Sequence, residues 1–221
     1  MKIMSLRQAG EEGGDKVLVY GGPGAGKTSL ISTLPGKVLV ASAEKGLASL
    51  DPDADIDVAP IDNVNDLVEV VDVLESKDHG YNWLALDSFS DIAEVVFADE
   101  LARQSDPRKL YPAVEQRVLR LVRTLRGLNL NVYVTAKAFR VTDSETSRTQ
   151  HIVKMPGNSL GQQIPYFFDF FFRLRVKKDG ERVLQTGPEP DSDAKYRSSR
   201  KLEQYEPANL GQLLAKLKGG K

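Results

Sequence analysis

The segment from Lys16 to Leu34 reads KVLVYGGPGAGKTSLISTL, and Gly21-Gly22-Pro23-Gly24-Ala25-Gly26-Lys27-Thr28 within it has the spacing G-x-x-x-x-G-K-[ST]. Glycines at those positions let a backbone turn its N–H groups inward around an anion. An ammonium at Lys27 reaches β- and γ-phosphates, and the Thr28 hydroxyl suits Mg²⁺. Residues Gly21, Gly22, Pro23, Gly24, Ala25, Gly26, Lys27, Thr28 and Ser29 are therefore the expected phosphate-binding set. A glycine turn that binds nothing leaves the Lys-Thr pair unexplained. The chemistry this implies is the binding of ATP with Mg²⁺.

Such a loop requires a carboxylate on the metal side, at the end of a buried parallel strand. Trp83-Leu84-Ala85-Leu86-Asp87-Ser88 supplies the apolar run and ends in Asp87. The competing reading makes Asp87 the N-cap of a helix from Ser90 to Ala102, although Ser88 or Ser90 can cap equally well. Because Ser88 follows Asp87, a water-activating base has to come from elsewhere. The apolar run Val38 to Ala41 leads into Ser42-Ala43-Glu44. If that strand lies beside the Asp87 strand, both carboxylates emerge at one sheet edge; otherwise Glu44 is a solvated loop acid.

The elements that must hold these groups alternate between helix and strand, which predicts an α/β fold with a mostly parallel sheet covered on both faces. Apolar residues at helical spacing mark Asp62 to Lys77 and Pro112 to Leu128, and Ser29 to Leu34 is helix-compatible after the loop. Arg117, Arg120 and Arg123 fall on the polar side of the second helix. Leu130 to Thr135 reads as a buried strand. Tyr166 to Val176 and Arg182 to Thr186 flank Lys178-Asp179-Gly180, predicting a C-terminal antiparallel hairpin, and Asn209 to Leu217 a closing helix. The phenylalanines between Phe167 and Phe172 read as buried strand. Two stretches lack periodicity: Arg103 to Tyr111, with Arg108 and Lys109, and Phe139 to Gln163, with Arg140, Arg148, His151 and Lys154.

The chain of 221 residues has a formal net charge of −1, but 23 of its 30 basic residues and only 12 of its 31 acidic ones lie beyond position 100. That asymmetry fits a polyanion-binding face and equally fits acidic and basic faces meeting between subunits. The absence of cysteine excludes disulfides, thiolate metal sites and cysteine nucleophiles. No apolar run has the length of a membrane span, and the opening residues have no signal-peptide core, so a cytoplasmic protein with no membrane partner is expected. The length favours one domain, an ATPase core over 16–221 preceded by a tail over 1–15.

Taken in order, the phosphate loop, AEKGL after the next strand, LDS, TAK and DAKYRSS resemble the RecA-like ATPase core. The resemblance is closest to phage-type, core-only members of that class acting in recombination and single-strand annealing, and it spans about Lys16 to Leu217. It implies that Glu44 activates the attacking water and that Asp87 is the Mg²⁺-side acid. It places Lys137 where the family senses the γ-phosphate, usually with a neutral polar residue. It also implies two DNA-facing loops, carrying Arg103, Arg108 and Lys109 in one and Arg140, Arg148 and Lys154 in the other. Lys195 and Arg197 resemble a Lys-x-Arg finger reaching a neighbouring subunit's nucleotide; without the resemblance they read as a basic surface loop. The implied partners are single-stranded DNA, further copies of the chain in a ring or filament, and a single-stranded DNA-binding protein, in the bacterial host cytoplasm if phage-encoded. A P-loop nucleotide kinase using Arg140 to Lys154 as a lid and an ATP-dependent protein-binding switch share the same core. No guanine-reading Asn-Lys-x-Asp occurs.

Overall fold

The computed structural model describes residues 13–219 except 45, 77, 105, 143–146 and 158. Most of the expected 1–15 tail lies outside them. Strands β1 (Lys16–Gly21), β2 (Val38–Ser42), β3 (Ile56–Pro60), β4 (Trp83–Asp87) and β5 (Asn131–Thr142) run parallel. After β6 (Thr149–Val153) come β7 (Phe170–Val176), β8 (Arg182–Gln185), the two-residue β9 (Lys195–Tyr196) and β10 (Tyr205–Pro207). The order across the sheet is β10-β8-β7-β1-β5-β4-β2-β3, with β6 on β5 and β9 on β7. β7 joins β1 in parallel and turns back antiparallel into β8, the expected hairpin.

The α-helices among the described residues are α1 (Val64–Glu75), α2 (Phe89–Arg103), α3 (Pro107–Gly127), the short α4 (Leu160–Gln163) and α5 (Leu210–Lys218). The central strands are buried on both faces, so their apolar runs do not alternate with polar residues. Leu18 and Tyr20 of β1 face a core shared with α1, α2 and α3. Val17 and Val19 face the other layer, packed on Leu30, Ile31 and the Leu210, Leu213, Leu214 and Leu217 stripe of α5. Helix α1 begins in a capping box: the Asn63 side chain accepts from the Asp66 N–H while the Asp66 carboxylate accepts from the Asn63 N–H.

Several segments differ from expectation. Ser29–Thr33 is a 3-10 turn, not an α-helix, because Pro35 disfavours helical geometry at Leu34 and Gly36 follows with φ +83°. Arg103–Tyr111 is not a loop. Asp106 caps α3 by accepting from the Arg108 N–H, and Pro107 sits at the first helical position, where its missing N–H costs nothing. Arg103 thus ends α2, and Arg108 and Lys109 lie in the first turn of α3. The Phe139–Gln163 stretch is largely ordered too, since β5 runs on to Thr142 and pairs antiparallel with β6 from Ala138↔Val153 to Thr142↔Thr149. This ribbon lacks an apolar pattern because Phe139 and Val141 remain exposed. Strand β7 starts at Phe170, after a 3-10 turn over Ile164–Phe167. Strand β3 has no counterpart in the sequence expectations: Asp57 interrupts its apolar run and none of its residues is fully buried.

Candidate active site

Strand β1 delivers the chain into the loop at Gly21, where a Cβ would lie 2.8 Å from the Leu174 carbonyl oxygen, so only glycine lets β1 leave the sheet against β7. Gly26 has φ +100°, in the left-handed region. Behind the loop, the fully buried Tyr133 donates from its hydroxyl to the Lys27 carbonyl at 2.9 Å, fixing the loop to β5. Lys27 bends back, its Nζ donating to the carbonyls of Gly22 at 2.9 Å and Gly21 at 3.1 Å. Burial lowers its pKa, against the opposing pull of Glu44 and Asp87.

Asp87 is buried at the carboxyl end of β4. Its Oδ2 accepts from Thr28 Oγ1 at 2.8 Å and its Oδ1 from Thr135 Oγ1 at 2.5 Å. It does not cap α2, whose N-cap residue is Ser88, itself without a side-chain cap bond. Strand β2 lies directly beside β4, with Ser42 opposite Asp87, and the Ala43 and Glu44 N–H groups donate to the Asp87 carbonyl. The adjacency on which the placing of Glu44 depends is therefore present. The Glu44 carboxylate meets Lys137, whose Nζ lies 2.8 Å from Glu44 Oε1 and 2.5 Å from Asp91 Oδ1. Burial works against the Lys137 charge, but hydrogen bonds to Asp91 and Glu44 outweigh it and raise its pKa. Burial likewise opposes ionisation of Asp91, yet Lys137 and Ser88 hold its carboxyl below the usual range.

Lys27, Thr28, Glu44 and Lys137 share one cavity of about 630 Å³, lined also by other loop residues between Gly21 and Ser29, Lys154 and Arg182, with Asp87 buried behind Thr28. A hydroxyl and a carboxylate oxygen 2.8 Å apart are hard donors suited to Mg²⁺. The residues present thus fit a Mg²⁺·nucleotide. Among the described residues no cluster of three or more Asp, Glu, His or Cys side chains could hold a metal.

The other expected site residues separate. Lys154, expected on a DNA-facing loop, lines this cavity because its N–H donates to the Lys137 carbonyl at 2.8 Å. Arg140 lies opposite His151 on the β5–β6 ribbon and borders a neighbouring hollow with Gly22 and Pro23. Arg148 directly precedes β6. Arg103 pairs with Asp99 at 3.1 Å. Lys195 and Arg197 lie at the opposite end of the sheet: β9 pairs with β7 at Phe171 and Phe170, and Phe170 is level with Val17. Val17 is four residues before Gly21, or about 13 Å along the strand. Arg197 Nη1 pairs there with Asp169 Oδ1 at 3.1 Å, and the Lys195 ammonium lies 5.4 Å from the Tyr166 ring centre. Three site residues escaped sequence reasoning. Thr135, Asp91 and Arg182 carry no motif; only strand adjacency brings them in.

The phosphate loop, the buried Asp87 and a strand interposed between β1 and β4 define a P-loop nucleoside triphosphatase. The chain matches the AAA_24 family model, described as an AAA domain, over residues 14–198, and it belongs to that family of nucleotide-binding ATPases. Comparison with curated proteins finds no match. No helix among the described residues is long and apolar enough to cross a membrane.

Proposed function

We propose that the chain is a Mg²⁺-dependent ATPase of the RecA-like kind that binds single-stranded DNA in phage-type recombination or strand annealing, working as an oligomer. One observation carries the catalytic part: Lys27, Thr28, Glu44 and Lys137 line a single cavity, and Asp87 is held directly behind it by the hydrogen bond from Thr28. In this reading the loop N–H groups and Lys27 hold the phosphates. Thr28 and Asp87 would hold Mg²⁺, which when bound would supply charge neutralisation for the phosphates. Glu44 accepts the proton of the water that attacks the terminal phosphorus, as the bond to the ADP oxygen breaks. A carboxylate already paired with an ammonium is a poor base, so Lys137 leaves Glu44 for the terminal phosphate before that step. Lys195 and Arg197, too far from their own loop, act on a neighbour's nucleotide.

The DNA part draws on the resemblance and on the β5–β6 ribbon. The ribbon continues the strand that carries Lys137 and bears Arg140 and Arg148 beside the exposed Phe139 and Val141. The kinase reading loses support here, because its lid segment is a paired ribbon along much of its length. The test is ATP turnover with and without single-stranded DNA, alongside a screen of nucleoside monophosphates as phosphoryl acceptors. DNA stimulation is expected, with binding that weakens with salt at a slope of about −0.7 per phosphate neutralised. Charge reversal at Arg140 and Arg148 should flatten that slope. Phosphoryl transfer to a monophosphate without any DNA effect would assign the kinase reading instead.

A further inference from the structure

The site cavity has two flanks, set by the sheet order. Asp87, Glu44 and Lys137 stand on the flank formed by β5, β4 and β2. Arg182 stands on the other, at the start of β8 and opposite Val176. Val176 is two residues beyond Leu174, the partner of Gly21, so Arg182 rises about 7 Å past the strand end, level with the loop. Its Nε donates to the Ala25 carbonyl at 3.1 Å. Its side chain lies over Gly26, where a Cβ would be 3.0 Å from both Arg182 Cδ and Nε, so the glycine permits this approach. Among the described residues neither terminal nitrogen of its guanidinium has a hydrogen-bond partner, and the group borders the cavity.

We propose that Arg182 is the residue that recognises the nucleoside end of the bound nucleotide, its guanidinium stacking on the base. This rests on the ATPase reading: with the terminal phosphate against Glu44 and Lys137, the extended nucleotide leads its ribose and base away from that flank, toward β7 and β8. A guanidinium is planar, permanently charged and weakly hydrated, which suits the face of a base better than an ammonium does. The bond to Ala25 fixes the group before a ligand arrives, so little side-chain freedom is lost on binding.

The experiment is isothermal titration of ATP, ADP and inorganic tripolyphosphate, with Mg²⁺, into the wild type and into Lys27→Ala, Arg182→Ala, Arg182→Lys and Arg182→Gln. Arg182→Ala should weaken ATP and ADP by the same factor, about tenfold, as expected for loss of a cation–π contact in a partly desolvated site. Tripolyphosphate, which has no nucleoside, should bind it as it binds the wild type. Arg182→Lys should not restore ATP affinity. Arg182→Gln keeps an N–H for the Ala25 carbonyl and should show the same nucleoside-selective loss, which covers the case in which the alanine variant does not fold. Equal losses for tripolyphosphate and ATP would make Arg182 a phosphate ligand or a loop tether and overturn the proposal, as would unchanged ATP affinity in Arg182→Ala. The underlying reading is checked apart from Arg182: Lys27→Ala should lose affinity for all three ligands, and a wild type that binds none of them would remove that reading and this proposal together.

Discussion

Replacing Thr135 by valine keeps the branched shape and removes one hydroxyl. That hydroxyl donates to Asp87 Oδ1 at 2.5 Å, and the residues are 0% and 1% exposed, so no solvent replaces the lost donor. A hydrogen bond to a charged group contributes about 1.5–3 kcal/mol net. For a chain of 221 residues each kcal/mol moves the melting temperature by about 2–4 °C, so Thr135→Val should melt about 3–12 °C below the wild type. Function should suffer too, because Asp87 loses the partner that orients its second oxygen toward Thr28. Outer-shell changes of this kind typically cost about 10–100-fold in metal affinity, so the Mg²⁺ concentration for half-maximal turnover should rise on that scale. Differential scanning calorimetry and a Mg²⁺ titration of turnover measure the two effects, with Thr135→Ser as the restoring control. A Thr135→Val protein that melts within about 1 °C of the wild type and keeps its Mg²⁺ requirement would refute the reasoning.

Stability in acid should depend on Asp91. Its folded-state carboxyl ionises below the ordinary value of about 3.9, so its contribution is fully present above that pH and is lost as pH falls through the folded value. Urea midpoints of Asp91→Asn should therefore trail the wild type at neutral pH and converge with it in acid; a gap independent of pH would contradict this. For the fingers, mixing Lys27→Ala subunits, which have a dead loop, with Arg197→Ala subunits, which have an intact one, should recover turnover above the sum of the separate proteins. A mixture that assembles without that gain, together with a fully active Arg197→Ala, would make the pair a surface feature.

The phosphate loop and Asp87 were legible because each is local: a fixed spacing in one case, an apolar run ending in an acid in the other. Glu44 needed one fact beyond the sequence, the adjacency of β2 and β4. The central strands and three amphipathic helices were legible from periodicity, which two-sided or one-sided burial imposes. The β5–β6 ribbon was not, since its outward residues bury too little to leave a pattern. The start of α3 was missed because Arg103 to Tyr111 has no apolar periodicity, although Asp106 followed by a proline at the first helical position starts the helix there. Arg182, Asp91 and Thr135 were invisible for a different reason. Their partners Ala25, Lys137 and Asp87 are 157, 46 and 48 residues away, and only the strand order brings them together.

The central claim, that Glu44 beside Asp87 is the water-activating base of an ATPase, is tested most directly by inorganic phosphate release from Mg²⁺·ATP by Glu44→Gln and the wild type, with ATP affinity measured on the same samples. The amide keeps the shape and can still face Lys137, but it takes no proton. ATP binding should be retained while turnover falls by about 10²–10⁴-fold, the usual contribution of a general base. Turnover at the wild-type rate by Glu44→Gln, with ATP bound equally well, would place the base elsewhere and contradict the account.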